Sequence, residues 1–408
     1  MTAFPPRISA ARSGASADRP PRAPGRPVGG WAFAGVAITS FGGPLALAAL
    51  YAPTIVAGAT GSAGLAMVAG VALFAIPLAI WLRYARYISG SGGLYSFVEA
   101  AAGRRIALVQ AGFWIVSYLL YLLYTTTQIV YDTLPAVLPG EHRYQPLLEI
   151  AIPVALAGVM IAGRRATLLV TGAVAAGQLA IAGALGGVTV AHLSTPASSF
   201  GASAPAGSLA IAGGQTALLY ICGSLPLFLG GELARPARTV RRTLIATYLV
   251  TAAVIIAAVA PLAADPAIAQ SPIPGMSVAG RFVGHEFAIA VGIGVAVSVA
   301  GVMLVEYLAL SRLVNAVTSW PLRPVIAAIG AALVVSAPLI LINPQRIYND
   351  LLTASLAALW VSQLIVFAVF PRFAARHGAR AVPAWGLAIV STAFAIYGLW
   401  STIQHSAI

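Results

Sequence analysis

Residues 31–57 read WAFAGVAITSFGGPLALAALYAPTIVA, 27 consecutive positions without a charged side chain. An α-helix needs about 20 apolar residues to cross a hydrocarbon core of about 30 Å, so this run is long enough to span a bilayer. Near its middle stands Thr39-Ser40-Phe41-Gly42-Gly43-Pro44-Leu45. Proline lacks an amide donor and clashes with the preceding helical turn, yet it fits the first turn of a new helix. Glycine permits the unwound backbone between two such helices. The stretch predicts a membrane helix divided into two halves near the midplane. Irregular backbone at that depth is tolerated only against protein or a wet cavity.

The rest of the chain repeats the first half of that pattern. Of its 408 residues, 60% are hydrophobic and 8% are charged, against roughly 25% charged in a soluble domain. So few charges cannot cover a water-facing surface, and the bilayer must be the solvent. Barrel strands would alternate apolar and polar residues over roughly ten positions. The runs here stay apolar for about twice that length, which predicts an all-α polytopic membrane protein of about eleven transmembrane helices. The expected spans are 31–57, 61–84, 105–131, 147–163, 165–190, 207–233, 242–263, 286–312, 323–342, 347–370 and 382–403.

The net charge of +13 comes from arginine alone, with no lysine in the chain. With the N-terminus placed in the cytoplasm, 20 of the 23 arginines fall on the inner side of these spans, leaving Arg143, Arg281 and Arg346 outside. That asymmetry is the positive-inside signature of a membrane protein. It accounts for the basicity without a nucleic-acid partner. It also places the protein in the cell membrane as a multi-pass chain with a cytoplasmic N-terminus and an extracellular C-terminus. The Pro-, Arg- and Ser-rich residues 1–30 read as a disordered cytoplasmic tail. Cys222 is the single cysteine, so neither an intrachain disulfide nor a cysteine metal cluster is available. The five histidines lie in loops and tails without metal-ligand spacing. No cofactor is expected and no enzyme motif is present, so uphill work would draw on an ion gradient or on exchange.

A second interrupted span is expected at Tyr220-Ile221-Cys222-Gly223-Ser224-Leu225-Pro226. It lies five spans after the first. Spans 1–5 (31–190) and 6–10 (207–370) would then be two five-helix repeats of opposite orientation, with 382–403 added. Broken helices at matching positions of two inverted halves point to a transporter's binding site. The new N-termini at Leu45–Ala46 and Leu227–Phe228 could hold an anionic group. The carbonyls of Ile38–Phe41 could hold a cation.

Three segments resemble the amino acid–polyamine–organocation (APC) superfamily. Ser91-Gly92-Gly93-Leu94-Tyr95 with Gly103 is similar to that family's S-G-G-x-Y…G segment. Gly231-Glu232-Leu233-Ala234-Arg235-Pro236-Ala237-Arg238 is similar to its G-E-x-x-N-P-x-R signature, and Ser311-Arg312 to its S-R pair. The resemblance covers roughly 31–370. It implies a five-plus-five inverted-repeat permease that moves an amino acid, an amine or a related small organic solute across the lipid bilayer by alternating access. Co-transport of a proton or a sodium ion belongs to the same expectation. Where the family often has G-F-E at the second break, this chain has Gly223-Ser224-Leu225.

The expected substrate-binding residues are Thr39, Ser40, Phe41, Gly42, Gly43, Tyr121, Cys222, Gly223 and Ser224. Tyr118, Tyr121 and Tyr124 share one broad face of span 3, as a cavity wall or as ordinary helix packing. Glu306, Gln178 and Ser298 are the expected coupling residues. An acid near a helix centre costs about 2.5–3.5 kcal/mol to insert and is usually retained for function. Glu306 therefore reads either as a proton-coupling group or as one half of an ion pair with a cytoplasmic arginine. Glu232 has the same ambiguity, with Arg235 three residues on. Ser298 reads as a cation ligand or as a serine bonded to its own helix. The rival to transport is a membrane sensor or assembly subunit that keeps the fold without moving solute.

Overall fold

A computed structural model describes residues 27–140, 143–193 and 197–406. Among them, ten helices are long and apolar enough to cross a membrane, and the β-structure is limited to one bridge between Val28 and Leu233. The ten are Gly30–Ala59, Ala63–Tyr87, Arg104–Val137, Arg164–His192, Ala206–Glu232, Pro236–Ala264, His285–Thr318, Leu322–Ile340, Pro344–Arg376 and Ala381–Gln404. A shorter apolar helix, Gln145–Ile161, lies between the third and fourth of these. Ten helices rather than the expected eleven reach that length; the shorter one is numbered span 4, so that the labels run from 1 to 11. The chain is an all-α, multi-pass membrane protein.

Span 4 has the expected 17 residues and is short for a physical reason. Pro146 opens it, and Ala162-Gly163, with Gly163 at φ 103°, stops it after 17 residues. At 1.5 Å per residue it covers about 26 Å, less than the usual hydrocarbon core. It nevertheless runs the depth of the bundle. Gln145 Nε2 donates to Val130 O near the end of span 3 at 3.4 Å, and Arg164, just past the other end, reaches Glu232 at the end of span 6. Spans 3 and 8 are longer than expected, 34 residues each. In span 3 a wide π-wound turn at Gln128–Thr133 carries the helix on to Val137. Two short helices, Leu94–Ala102 and Pro274–Phe282, occupy stretches expected to be loops.

The two ends of the bundle are chemically distinct. At one end Arg312 and Arg164 both pair with Glu232, Val28 N donates to Glu232 O, and Arg376 Nη1 donates to Ala100 O. At the other end Arg281 pairs with Asp265, and Ser62 Oγ donates to Gly201 O. Residues 1–26 of the expected disordered tail lie outside the described residues. The remainder of that tail is ordered, since Val28 is buried against Leu233.

Span 1 breaks where expected. It is helical over Gly30–Ser40, and it resumes at Pro44 after Gly42 and Gly43 adopt φ of 78° and 68°. Those left-handed values exclude most side chains. Span 6 breaks earlier than expected. Its first helix ends at Leu218, the chain turns at Leu219–Tyr220, and Ile221–Glu232 then winds as a 3₁₀ helix. Twelve residues is far beyond the usual three or four for that winding. Pro226 sits inside this tight stretch rather than at a new helix start.

Candidate functional site

The break in span 1 is bridged by side chains from two distant spans. Gln178 Nε2 donates to Thr39 Oγ1 at 3.1 Å, and Ser298 Oγ donates to Gln178 Oε1 at 2.5 Å. Ser298 Oγ in turn accepts from Ala46 N at 3.4 Å. Thr39, Gln178 and Ser298 are all buried. Spans 5 and 8 thus close a hydrogen-bonded chain from the last turn before the break to the first turn after it. Gly43 lies so close that a Cβ there would meet Ser298 Oγ at 2.3 Å. Three expected site residues from different parts of the sequence are brought together here.

This arrangement occupies one of the two amides expected to hold an anion at the first break. Ala46 N is taken by Ser298, and Leu47 N by Gly43 O. Leu227 and Phe228 lie within the continuous 3₁₀ winding, not at a helix start. Two other expected contacts are satisfied locally: Ser40 Oγ donates to Ala37 O at 2.8 Å and Ser224 Oγ to Ile221 O at 3.4 Å. Phe41 also turns away from any open space. Its ring is fully buried against Tyr220 and Tyr248, with centroids 6.4 Å and 5.6 Å away, and Phe74 packs on both of those tyrosines. The hydroxyl of Tyr248 donates to Val71 O and anchors that group of rings.

A second cluster forms between spans 3, 6 and 8. Glu306 is fully buried; its Oε1 accepts from Cys222 Sγ at 3.8 Å, and its Oε2 has no hydrogen-bond partner. The ion pairs of the described residues do not include Glu306. The arginine nearest in sequence, Arg312, is committed to Glu232 at 2.6 Å. The ion-pair reading of Glu306 is therefore excluded among these residues, whereas Glu232 is such a pair, with Arg312 and Arg164 in place of the expected Arg235. Tyr118 lies beside Cys222, and its hydroxyl is buried.

Around this carboxylate the rings of span 3 form a wall. Trp114 stacks on Tyr118 at 3.7 Å, Tyr118 is 6.2 Å from Tyr121, and Tyr121 is 4.9 Å from Tyr124. Tyr124 continues to Tyr348 of span 10 at 5.7 Å. Cys222, Tyr121, Tyr51, Gln128 and Tyr348 remain partly exposed, and Asp132 is exposed. Tyr51 lies beside Gln128, and both Tyr51 and Tyr348 lie near Asp132. These side chains form a row of neighbours from Glu306 towards the bundle end where span 3 terminates, with an acid at each end.

Tyr51, Gln128, Asp132 and Tyr348 carry no motif, and their convergence is visible only in three dimensions. Glu149 was missed for another reason. It is the one acid within the expected span 147–163, and that was signal enough to single it out. It is fully buried, with Oε1 accepting from Thr127 Oγ1 at 3.0 Å and Oε2 without a partner. Among the described residues no three His, Cys, Asp or Glu side chains gather in a group able to hold a metal ion. Comparison with protein-family models and with curated proteins finds no match for the chain.

Proposed function

We propose that the chain is a secondary transporter of the APC type, moving an amine-bearing solute such as an amino acid or an organic amine. The observation that carries this reading is Glu306: a buried carboxylate with no cationic partner among the described residues, with Tyr118, Tyr121 and Tyr124 beside it. An acid in that position is costly unless something positive visits it. An ammonium group supplies the missing charge, and aromatic faces attract it further. The occupied Ala46 amide at the first break and the lack of a helix start at Leu227 favour the amine, rather than a carboxylate, as the group that is recognised.

The two interrupted spans lie five apart and flank this cluster, which supports the inverted-repeat arrangement of 31–190 and 207–370. The arginine asymmetry supports a cytoplasmic position for the end that holds Glu232. The Thr39–Gln178–Ser298 chain fills the gap beside the first break. It favours coupling to protons, or exchange, over a sodium ion held there.

The test is uptake into proteoliposomes of radiolabelled amino acids and amines, with and without an imposed pH gradient. Saturable flux that Glu306→Gln lowers at least tenfold is the expected result. Ohmic flux would identify a channel, and no flux of any tested solute would favour a sensor or an assembly subunit. Saturable flux unchanged in Glu306→Gln would keep transport and remove Glu306 from the site.

A further inference from the structure

At the end of the bundle where spans 2 and 10 finish and span 11 begins, the surface opens into a cavity of about 400 Å³. Arg83, Arg86 and Arg380 line it together with His377, and its remaining wall is apolar, including Phe373 and Pro383. No carboxylate lines it. The rings of the wall are packed firmly. Tyr87 and Phe373 lie 4.4 and 4.2 Å from the His377 ring, and His377 Nδ1 donates to Phe373 O at 2.9 Å. The Arg86 guanidinium stands 5.5 Å over the Tyr87 ring.

Topology alone explains why arginines are numerous at this end. It does not explain their arrangement. Arg164 and Arg312 at the same end converge on Glu232, and Arg376 reaches a backbone carbonyl. Glu99, a further acid at this end, accepts from Tyr95. Three guanidinium groups facing one walled cavity without an acid form a receptor for an anion, and the planar fork of arginine suits the oxygens of a phosphate. The side of the cavity is equally informative. Next to Pro383, Val382 and Trp385 are 84% and 56% exposed on the outer surface of span 11. Tryptophan at that depth marks the headgroup level, with hydrocarbon beyond it. A ligand here meets positive charge at its head and an apolar surface along its tail.

We propose that this cavity binds the phosphate of an anionic phospholipid from the adjacent leaflet, with the acyl chains laid along span 11. Basic pockets between membrane helices recognise lipid headgroups in this way. The site is distinct from the Glu306 cluster and does not depend on the transport reading.

The experiment compares thermal unfolding of the whole protein in nanodiscs of phosphatidylcholine with and without phosphatidylglycerol or cardiolipin. A ligand that binds only the folded state raises the midpoint with its concentration. The anionic lipid should raise the midpoint of the wild type. In Arg83→Gln/Arg380→Gln the apparent affinity should fall about tenfold or more, the scale of losing charge-assisted hydrogen bonds. Arg380→Gln alone lies in the exposed turn between spans 10 and 11, so it keeps the test available if the double variant does not fold. Arg242→Gln, an exposed arginine at the same end but outside the cavity, should respond as the wild type does. Inorganic phosphate is the second arm. An arginine-dependent rise with phosphate alone, equal to that with lipid, would keep the phosphate site and reassign its source to solution. No rise with either probe, or an equal loss in Arg242→Gln, would overturn the proposal.

Discussion

The ring of Phe41 fills the space that a side chain at position 223 would need: a Cβ built on Gly223 would lie 2.3 Å from Phe41 Cε1. The two interrupted spans are thus interlocked at their breaks, ring against bare backbone. The glycine at 223 is required for this approach, and the chain turns three residues earlier.

Gly223→Ala should accordingly push Phe41 out of its aromatic group and destabilise the fold by about 1–3 kcal/mol, the usual cost of overpacking. Phe41→Ala leaves a cavity and should cost about 3–5 kcal/mol. The double variant should be more stable than the sum of the two losses implies, because the added methyl occupies space the ring has left. Denaturation midpoints of the four proteins in one detergent form the cycle. Strict additivity would show that the two residues do not meet.

Cys222 is the single thiol, partly exposed and bonded to Glu306. A thiol-reactive probe that reaches it along the tyrosines from the end of span 3 would pass Asp132 first. A cationic methanethiosulfonate should therefore label Cys222 at least tenfold faster than an anionic one of similar size, since a cleft lined by one sign of charge concentrates the opposite ion. A transported amine should slow both. Equal rates for the two reagents would mean that the acids do not govern access.

Glu232 holds Arg312, whose side chain is 4% exposed, and Arg164, whose side chain is 38% exposed. Truncating one partner of a buried pair leaves an uncompensated charge and typically costs about 3–5 kcal/mol. Glu232→Gln should approach the lower end of that range, because its own side chain is 18% exposed. Arg164→Gln should cost less than about 1 kcal/mol, as exposed pairs do. Chemical denaturation of the two variants checks the order, and a larger loss for Arg164→Gln would reverse the assignment.

What could be read from the sequence follows from which interactions are local. Charge-free runs of membrane length and the Gly42-Gly43-Pro44 break are local, and they located the interruption closely and the span ends to within about six residues. The polar residues Thr39, Gln178 and Ser298 stood out because polar groups are scarce in such runs, although their bonding to one another depends on how spans 1, 5 and 8 pack. Tyr51, Tyr348 and Asp132 did not stand out. In a bilayer both the lipid face and the protein face of a helix are apolar, so hydrophobic periodicity does not tell which way a tyrosine points. The 3₁₀ winding of Ile221–Glu232 is likewise a tertiary outcome, and Gly223 and Pro226 suggested a break in its place. Glu149 was legible and overlooked: a lone acid in a short apolar run carried the same signal as Glu306.

That winding also settles a question of reach. A 3₁₀ helix advances about 2.0 Å per residue and an α-helix about 1.5 Å. The twelve residues from Ile221 to Glu232 therefore extend about 24 Å, where α-winding would cover about 18 Å. Span 6 spends two residues on its turn and still delivers a carboxylate to Arg312 and Arg164 at the bundle's end. Wound as an ordinary α-helix from the same turn, the chain would fall about 6 Å short. The longer pitch lets a helical segment of this length reach Arg312, and Glu232 O accepts from Val28 N as well.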